Sequence, residues 1–180
     1  MPLWNLVLSG YPGSGKTVLA RRLISEHPNF VRLSVDDLRN MFFGPMEPPK
    51  EEEFVYNALA TLRDLTLRNG RSVVLDSTAP KNSTREFLLN TRVEGVVTLV
   101  VLMIVEKNEL EGRNQERGVG GVLDAWNKVW ENPSPSVPVM KFRNNSLAEF
   151  ETSYYVLQDL LRSKVNPYRH RFLGHTYPRI

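Results

Sequence analysis

The chain has 180 residues, 41% hydrophobic and 24% charged, with 11 Gly and 12 Pro. These are the proportions of an ordinary single globular domain, which excludes a collagen-like repeat, a low-complexity polymer and wholesale disorder. The chain has no Cys and 3 His, so a disulfide scaffold, a thiolate nucleophile and a Cys-based zinc site are excluded, while the net charge of +3 points mildly to polyanionic partners.

In chain order, Leu3 to Leu8 is apolar enough for a buried strand. Gly10 to Thr17 reads as a loop, and Val18 to His27 as a helix stopped by Pro28. Val31, Leu33 and Val35 alternate as a second strand, and Asp36 then caps a short helix through Asn40. A Pro-rich break covers Gly44 to Lys50. Glu51 to Asn69 is the clearest helix, with Phe54, Ala58, Leu62 and Leu65 as its apolar face and Gly70 as its C-cap. Ser72 to Leu75 is a strand that ends at Asp76, and Ser83 to Arg92 is a helix. Val96 to Val105 is a strand apolar on both faces, too short to cross a bilayer. Glu106 to Gly118 and Val122 to Trp130 are helices, and Glu131 to Pro138 is a loop. Leu147 to Leu161 is a final amphipathic helix before a basic tail at 162–180. The N-terminal apolar run lacks a basic flank and a cleavage-like segment, so the expectation is a cytoplasmic protein with no membrane contact.

Strands alternating with helices imply an α/β fold: a parallel sheet covered by helices on both faces, over 1–180 as one domain. Chemistry in such sheets gathers at the carboxyl ends of the strands. Gly10-Tyr11-Pro12-Gly13-Ser14-Gly15-Lys16-Thr17 follows the first strand and fits G-x-x-x-x-G-K-[ST]. Gly10, Gly13, Ser14 and Gly15 leave backbone N–H groups free to point at phosphates. Lys16 reaches the β- and γ-phosphates, and the Thr17 hydroxyl holds Mg²⁺. An NTP, with ATP and Mg²⁺ as the expected pair, is therefore the ligand.

A GTPase switch needs N-K-x-D, but Asn127-Lys128 is followed by Val129-Trp130. A hydrolytic ATPase has a Glu after its acidic strand end, but Asp76 is followed by Ser77. A kinase needs a carboxylate to take the acceptor proton and arginines to close over the phosphates. Asp36 follows the second strand and can accept that proton, and Arg39, one turn on, can hold an anionic group on the acceptor. Arg113 and Arg117 share a helical face before a Gly-rich hinge, which suits a lid over ATP at about 107–121. Asp76 is placed to support Mg²⁺ through water or to orient a site arginine. The plainer alternatives are that Asp36 is only a helix cap, that Asp76 is only a turn residue, and that the 113–117 charges are solvated.

This spacing of P-loop, Asp36-Asp37-Leu38-Arg39, Asp76-Ser77-Thr78 and Arg113-Asn114-Gln115-Glu116-Arg117-Gly118 resembles the phage-type polynucleotide 5′-hydroxyl kinases, a P-loop kinase family. The resemblance covers roughly Leu3 to Pro135. It implies a P-loop kinase fold that transfers the γ-phosphoryl of ATP to the 5′-OH end of DNA or RNA. It also implies that Lys16 and Thr17 handle ATP and Mg²⁺, Asp36 is the general base, and Arg39 holds the acceptor phosphate. Arg113 and Arg117 become lid arginines, Arg117 stabilises the transferred phosphoryl group, and Asp76 is a supporting carboxylate. Relatives often carry Asn after the Asp-x-Thr element, where this chain has Ala79-Pro80. There is no phosphatase or ligase motif, so any such repair partner is a separate chain. The P-loop and Asp-Asp-x-Arg also resemble small-molecule, nucleotide-sugar, zeta-toxin-type and aminoacyl-tRNA kinases, and a non-catalytic NTP-binding domain is a third class. Basic residues in the tail (Arg162, Lys164, Arg169, Arg171, Arg179) interleave with Tyr168, Phe172 and Tyr177, a composition that suits a nucleic-acid groove or a packed C-terminus.

Overall fold

The computed structural model describes residues 2–44 and 52–163. Five strands form one parallel sheet: β1 (Leu3–Ser9), β2 (Phe30–Ser34), β3 (Ser72–Asp76), β4 (Val96–Ile104) and β5 (Val139–Arg143). The order β2-β3-β1-β4-β5 puts β1 at the centre, hydrogen-bonded to β3 and β4. Seven helices accompany them among the described residues: α1 (Lys16–Glu26), α2 (Val35–Phe43), α3 (Glu52–Arg68), α4 (Asn82–Leu89), α5 (Lys107–Glu116), α6 (Val122–Asn127) and α7 (Leu147–Arg162). None of them is long and apolar enough to cross a membrane.

The period-two alternation of a strand divides the core. Trp4, Leu6 and Leu8 face one side, against Leu19 and Leu23 of α1 and Phe150, Tyr154 and Leu157 of α7. Val7 faces the other side, against Val55, Leu59 and Leu67 of α3 and Leu88 of α4. Asn5 shares that second side. Its Nδ2 donates to the Leu88 carbonyl at 2.9 Å and ties α4 to the central strand. The parallel sheet covered on both faces is the P-loop kinase fold that the sequence leads one to expect.

Several boundaries differ from that expectation. Ser34, not Asp36, caps α2: its hydroxyl accepts from the Asp37 N–H at 3.2 Å, and Val35 is already helical. Asp36 is thereby moved into the first turn, where its carboxylate is free of capping. The buried stripe of α3 is Val55, Leu59, Arg63 and Leu67, while Phe54 and Leu65 are exposed. The charge at position 63 hid this stripe. Arg63 is buried because Asp64 and the carbonyls of Phe87 and Leu88 satisfy its guanidinium. α4 ends at Leu89 rather than Arg92, and α6 ends at Asn127. The fifth strand was not foreseen, because VMKFR is short and follows a loop with three prolines. The Pro-rich break expected at Gly44 to Lys50 lies outside the described residues except for Gly44, and the basic tail expected at 162–180 lies outside them from residue 164 onward.

β5 is an edge strand, but it is anchored: Phe142 is fully buried and meets Phe150 edge-on at 5.1 Å. Phe142→Ala leaves a cavity between β5 and α7. It should lower the unfolding free energy by about 3–5 kcal/mol, measured as a shift in denaturant midpoint at unchanged slope.

Candidate active site

The loop from Gly10 to Thr17 connects the end of β1 to α1. Two of its glycines hold left-handed backbone, Gly13 at φ 81° and Gly15 at φ 93°, where a Cβ is strained. A Cβ on Gly10 would come within 2.8 Å of Met103 Cβ, so β4 packs directly under the loop. The Ser14 N–H is used in a turn, donating to the Tyr11 carbonyl at 3.1 Å. The N–H groups of Gly13 and Gly15 have no partner among the described residues. The loop is therefore a cradle with donors to spare, of the kind that a polyphosphate fills.

Lys16 opens α1 and folds back over the loop. Its Nζ donates to the carbonyls of Gly10 at 2.8 Å and Tyr11 at 2.9 Å. Burial lowers its pKa to about 8, and Arg117 acts in the same direction, while Asp76 and Asp36 oppose them. Lys16 thus stands among the two carboxylates and the arginine that the sequence singles out. Gly13, Gly15, Lys16, Thr17, Asp36, Arg39, Asp76, Arg113 and Arg117 all line one cleft of about 1710 Å³. Gly10 and Ser14 are buried beneath it and do not line it.

The cleft's charges are paired in a definite pattern. Asp76, buried at the end of β3, accepts from Arg32 Nε at 3.0 Å and Nη2 at 2.7 Å. Arg32 also donates to Asp37 at 2.5 Å. Asp76 therefore orients an arginine from the neighbouring strand β2, where Ser34 lies opposite it in register. Asp36 is exposed to the cleft and accepts from Arg39 Nη1 at 2.5 Å. The remaining fork of Arg39 is bidentate to Glu52, with Nε to Oε1 at 2.7 Å and Nη2 to Oε2 at 3.0 Å. Arg113 donates to the carbonyls of Asn144 at 2.8 Å and Asn145 at 3.3 Å, which ties α5 to the segment after β5. Arg117 makes no ion pair among the described residues and lies within electrostatic reach of Lys16.

Four side chains that brace the loop and the cleft are not legible in the sequence. Arg32 sits mid-strand with no motif around it. Glu52 opens α3, and no local pattern joins it to the cleft. Asn144 follows β5, and the rule that chemistry gathers at strand ends would have found it had that strand been recognised. Arg85 is fully buried and donates to Ser9 Oγ, Asn82 Oδ1 and the Pro80 carbonyl. It lies 5.0 Å from the Trp130 ring, which stacks on Tyr11 of the loop at 4.4 Å. Ala79 is buried at φ 39°, and its carbonyl accepts from Ser9 Oγ at 3.0 Å.

The donor set fits a nucleoside triphosphate. It also fits Mg²⁺ held by the Thr17 hydroxyl together with phosphate oxygens and water, the arrangement this ion favours. A triphosphate beside Lys16 favours its charged form, so binding raises the lysine's pKa from about 8. ATP binding at pH 8 should therefore take up about half a proton, and affinity should fall as the pH rises further. Calorimetry in two buffers of different ionisation enthalpy measures the uptake, and Lys16→Met should abolish it.

No match was found among curated proteins. Among solved structures, the chain resembles a sugar kinase from Janibacter sp. HTCC2649 (18% identity, 87% of this chain and 95% of that one, TM-score 0.66). It also resembles the APS kinase CysC of Mycobacterium tuberculosis in complex with AMPPNP and APS (19% identity, 91% and 100%, TM-score 0.64). A third likeness is to a chain of the Pnkp1/Rnl/Hen1 complex (29% identity, 62% of this chain but 39% of that one, TM-score 0.56). The family model described as an AAA domain, AAA_33, matches residues 6–131, well over half of the sequence. A P-loop whose lysine folds back over it, set at the centre of a five-stranded parallel sheet of the P-loop kinase fold, accords with that match, and the chain belongs to the AAA_33 family.

Proposed function

We propose that this kinase transfers the γ-phosphoryl group of ATP to the 5′-hydroxyl end of a polynucleotide, DNA or RNA. The observation that carries the reading is the Asp36–Arg39 pair on the wall of the cleft that holds Lys16 and Arg117. It joins a proton acceptor to a cation suited to the phosphate next to a terminal 5′-hydroxyl. The Pnkp1/Rnl/Hen1 likeness, at 29% identity, supports it. A structure of that assembly is described as an RNA repair complex.

ATP supplies the phosphoryl group, and Mg²⁺, which the Thr17 hydroxyl would hold, would neutralise its charge. The Gly13 and Gly15 N–H groups bind phosphate oxygens, and Lys16 meets the developing charge on the β- and γ-oxygens. Arg39 keeps the Asp36 carboxylate turned into the cleft. Asp36 takes the proton of the acceptor hydroxyl as that oxygen bonds to the γ-phosphorus and the bond from the γ-phosphorus to the β,γ-bridging oxygen breaks, releasing ADP. Arg117, with no ion pair of its own among the described residues, turns to the phosphoryl group in transfer, and α5 with the glycines at 118, 120 and 121 acts as the lid that carries it. An anion on the acceptor competes with Glu52 for the fork of Arg39. A small alcohol is the second reading. It is favoured by that same Glu52 contact, which leaves the fork filled when no anion is offered.

The test is transfer of label from γ-labelled ATP to 5′-hydroxyl DNA, 5′-hydroxyl RNA and a panel of sugars and other small alcohols. Label should appear at oligonucleotide 5′ ends. Label on small alcohols alone overturns the polynucleotide reading in favour of the second. Asp36→Asn should cut kcat by roughly 10²–10⁴-fold while ATP binding persists. Arg39→Ala should chiefly raise the acceptor KM.

A further inference from the structure

Two asparagines grip the outside of the phosphate loop from different elements. Asn114, buried on α5 between the two lid arginines, donates Nδ2 to the Pro12 carbonyl at 2.9 Å and to the Leu110 carbonyl at 2.8 Å. Its amide orientation is fixed by these two acceptors, since the reverse would set oxygen against two carbonyls. Asn144, just past β5, donates Nδ2 to the Ser14 carbonyl at 2.9 Å. Both side chains press on the glycines themselves. A Cβ on Gly13 would lie 2.9 Å from Asn114 Nδ2, and one on Gly15 would clash with Asn144 Nδ2.

Which carbonyls are held decides what this contact does. A peptide unit is planar and trans, so its N–H points opposite to its C=O. Holding the Pro12 carbonyl outward aims the Gly13 N–H inward. Holding the Ser14 carbonyl outward aims the Gly15 N–H inward. Neither of these N–H groups has a partner among the described residues, while that of Ser14, between them, is used in a turn.

We infer that Asn114 and Asn144 are positioning residues that form a clamp, orienting the Gly13 and Gly15 N–H groups toward the phosphates of the nucleotide. The inference rests on the nucleotide-binding reading of the loop and not on the identity of the acceptor. It gives Asn114 a part separate from its arginine neighbours: it joins the root of α5 to the loop that α5 overhangs.

The test is equilibrium binding by Asn114→Leu and Asn144→Leu, which keep the approximate side-chain volume and delete the donor. The probes are fluorescent ATP displaced by ATP, by inorganic tripolyphosphate and by adenosine. Each variant should weaken ATP and tripolyphosphate roughly tenfold, the scale of one lost hydrogen bond, with adenosine unchanged and the melting temperature close to wild type. Unaltered ATP binding in both variants overturns the clamp. So does an equal loss for ATP and adenosine, which marks a merely structural role. If buried Asn114→Leu does not fold, Asn144→Leu decides the matter through Gly15 alone. A wild-type protein that binds neither ATP nor tripolyphosphate overturns the clamp together with the phosphate reading of the loop. Failure to phosphorylate oligonucleotides bears only on the acceptor, since the clamp is read by binding alone.

Discussion

An anion cradle made of backbone has to keep donors unpaired inside a folded protein, and that is the constraint on which this molecule turns. A buried N–H without a partner costs as much as a lost hydrogen bond, so the loop must be held open by something other than its own bonding. The fold meets the requirement from outside. The Gly10 N–H bonds to the Thr78 carbonyl after β3, Met103 of β4 packs beneath Gly10, and side chains from α5 and the end of β5 take the outward carbonyls. Each contact comes from an element brought alongside by the order β2-β3-β1-β4-β5. The central position of β1 is therefore what makes the loop possible, because only a central strand has supporting strand ends on both sides.

The charges follow from the same geometry. Parallel strands end together, so the acids and arginines that follow them crowd one rim. Left alone, buried Asp76 and largely desolvated Lys16 would each carry a desolvation penalty. Arginine pairing acts on the two acids, Asp76 and Asp36, in different ways. Asp76 is buried and locked to Arg32, which makes it a fixed element of the wall. Asp36 is exposed and shares Arg39 with Glu52, which leaves its carboxylate oriented yet open to the cleft. Lys16 is left undercompensated, with a pKa of about 8, and a polyphosphate is what completes its surroundings.

Much of this was legible in the sequence, and the failures have physical causes. The apolar runs of β1 and β4 and the Gly-rich loop between β1 and α1 are local signals, and they located the sheet and the cleft. Asp36 and Arg39 were legible because one helical turn joins them. Glu52 was not, because its partner is thirteen residues away across the Pro-rich break. Arg32 looked like a charge interrupting a strand. Its role exists only through the β2–β3 register, which no local pattern encodes. The α3 stripe lies one to two positions beyond the expected face because an arginine can sit in a core stripe when nearby carbonyls and an aspartate satisfy it. β5 and Asn144 were missed together, since a five-residue edge strand carries too few alternations to stand out.

The division of labour between the two sides of the cleft bears on substrate choice. The nucleotide side is built from β1, α1, α5 and the end of β5, and its groups are glycines, a lysine and amides that suit any polyphosphate. The solved structures that resemble this chain in fold include a sugar kinase and an APS kinase. On the proposed function, the choice of acceptor falls to the opposite wall, where α2 and α3 contribute Asp36, Arg39, Glu52 and Tyr56. There the decisive feature is the occupied fork of Arg39. A neutral alcohol leaves the Arg39–Glu52 pair intact and meets only Asp36. An acceptor with a phosphodiester beside its hydroxyl offers Arg39 an anion of equal charge that can take the same bidentate contact in place of Glu52. Tyr56, its hydroxyl 3.4 Å from Ser77 Oγ and its pKa raised by burial, stays neutral against this wall and adds a hydroxyl without adding charge. Selectivity for an anionic acceptor can thus reside in one exchangeable ion pair, while the phosphate loop opposite remains the same for every substrate the fold serves.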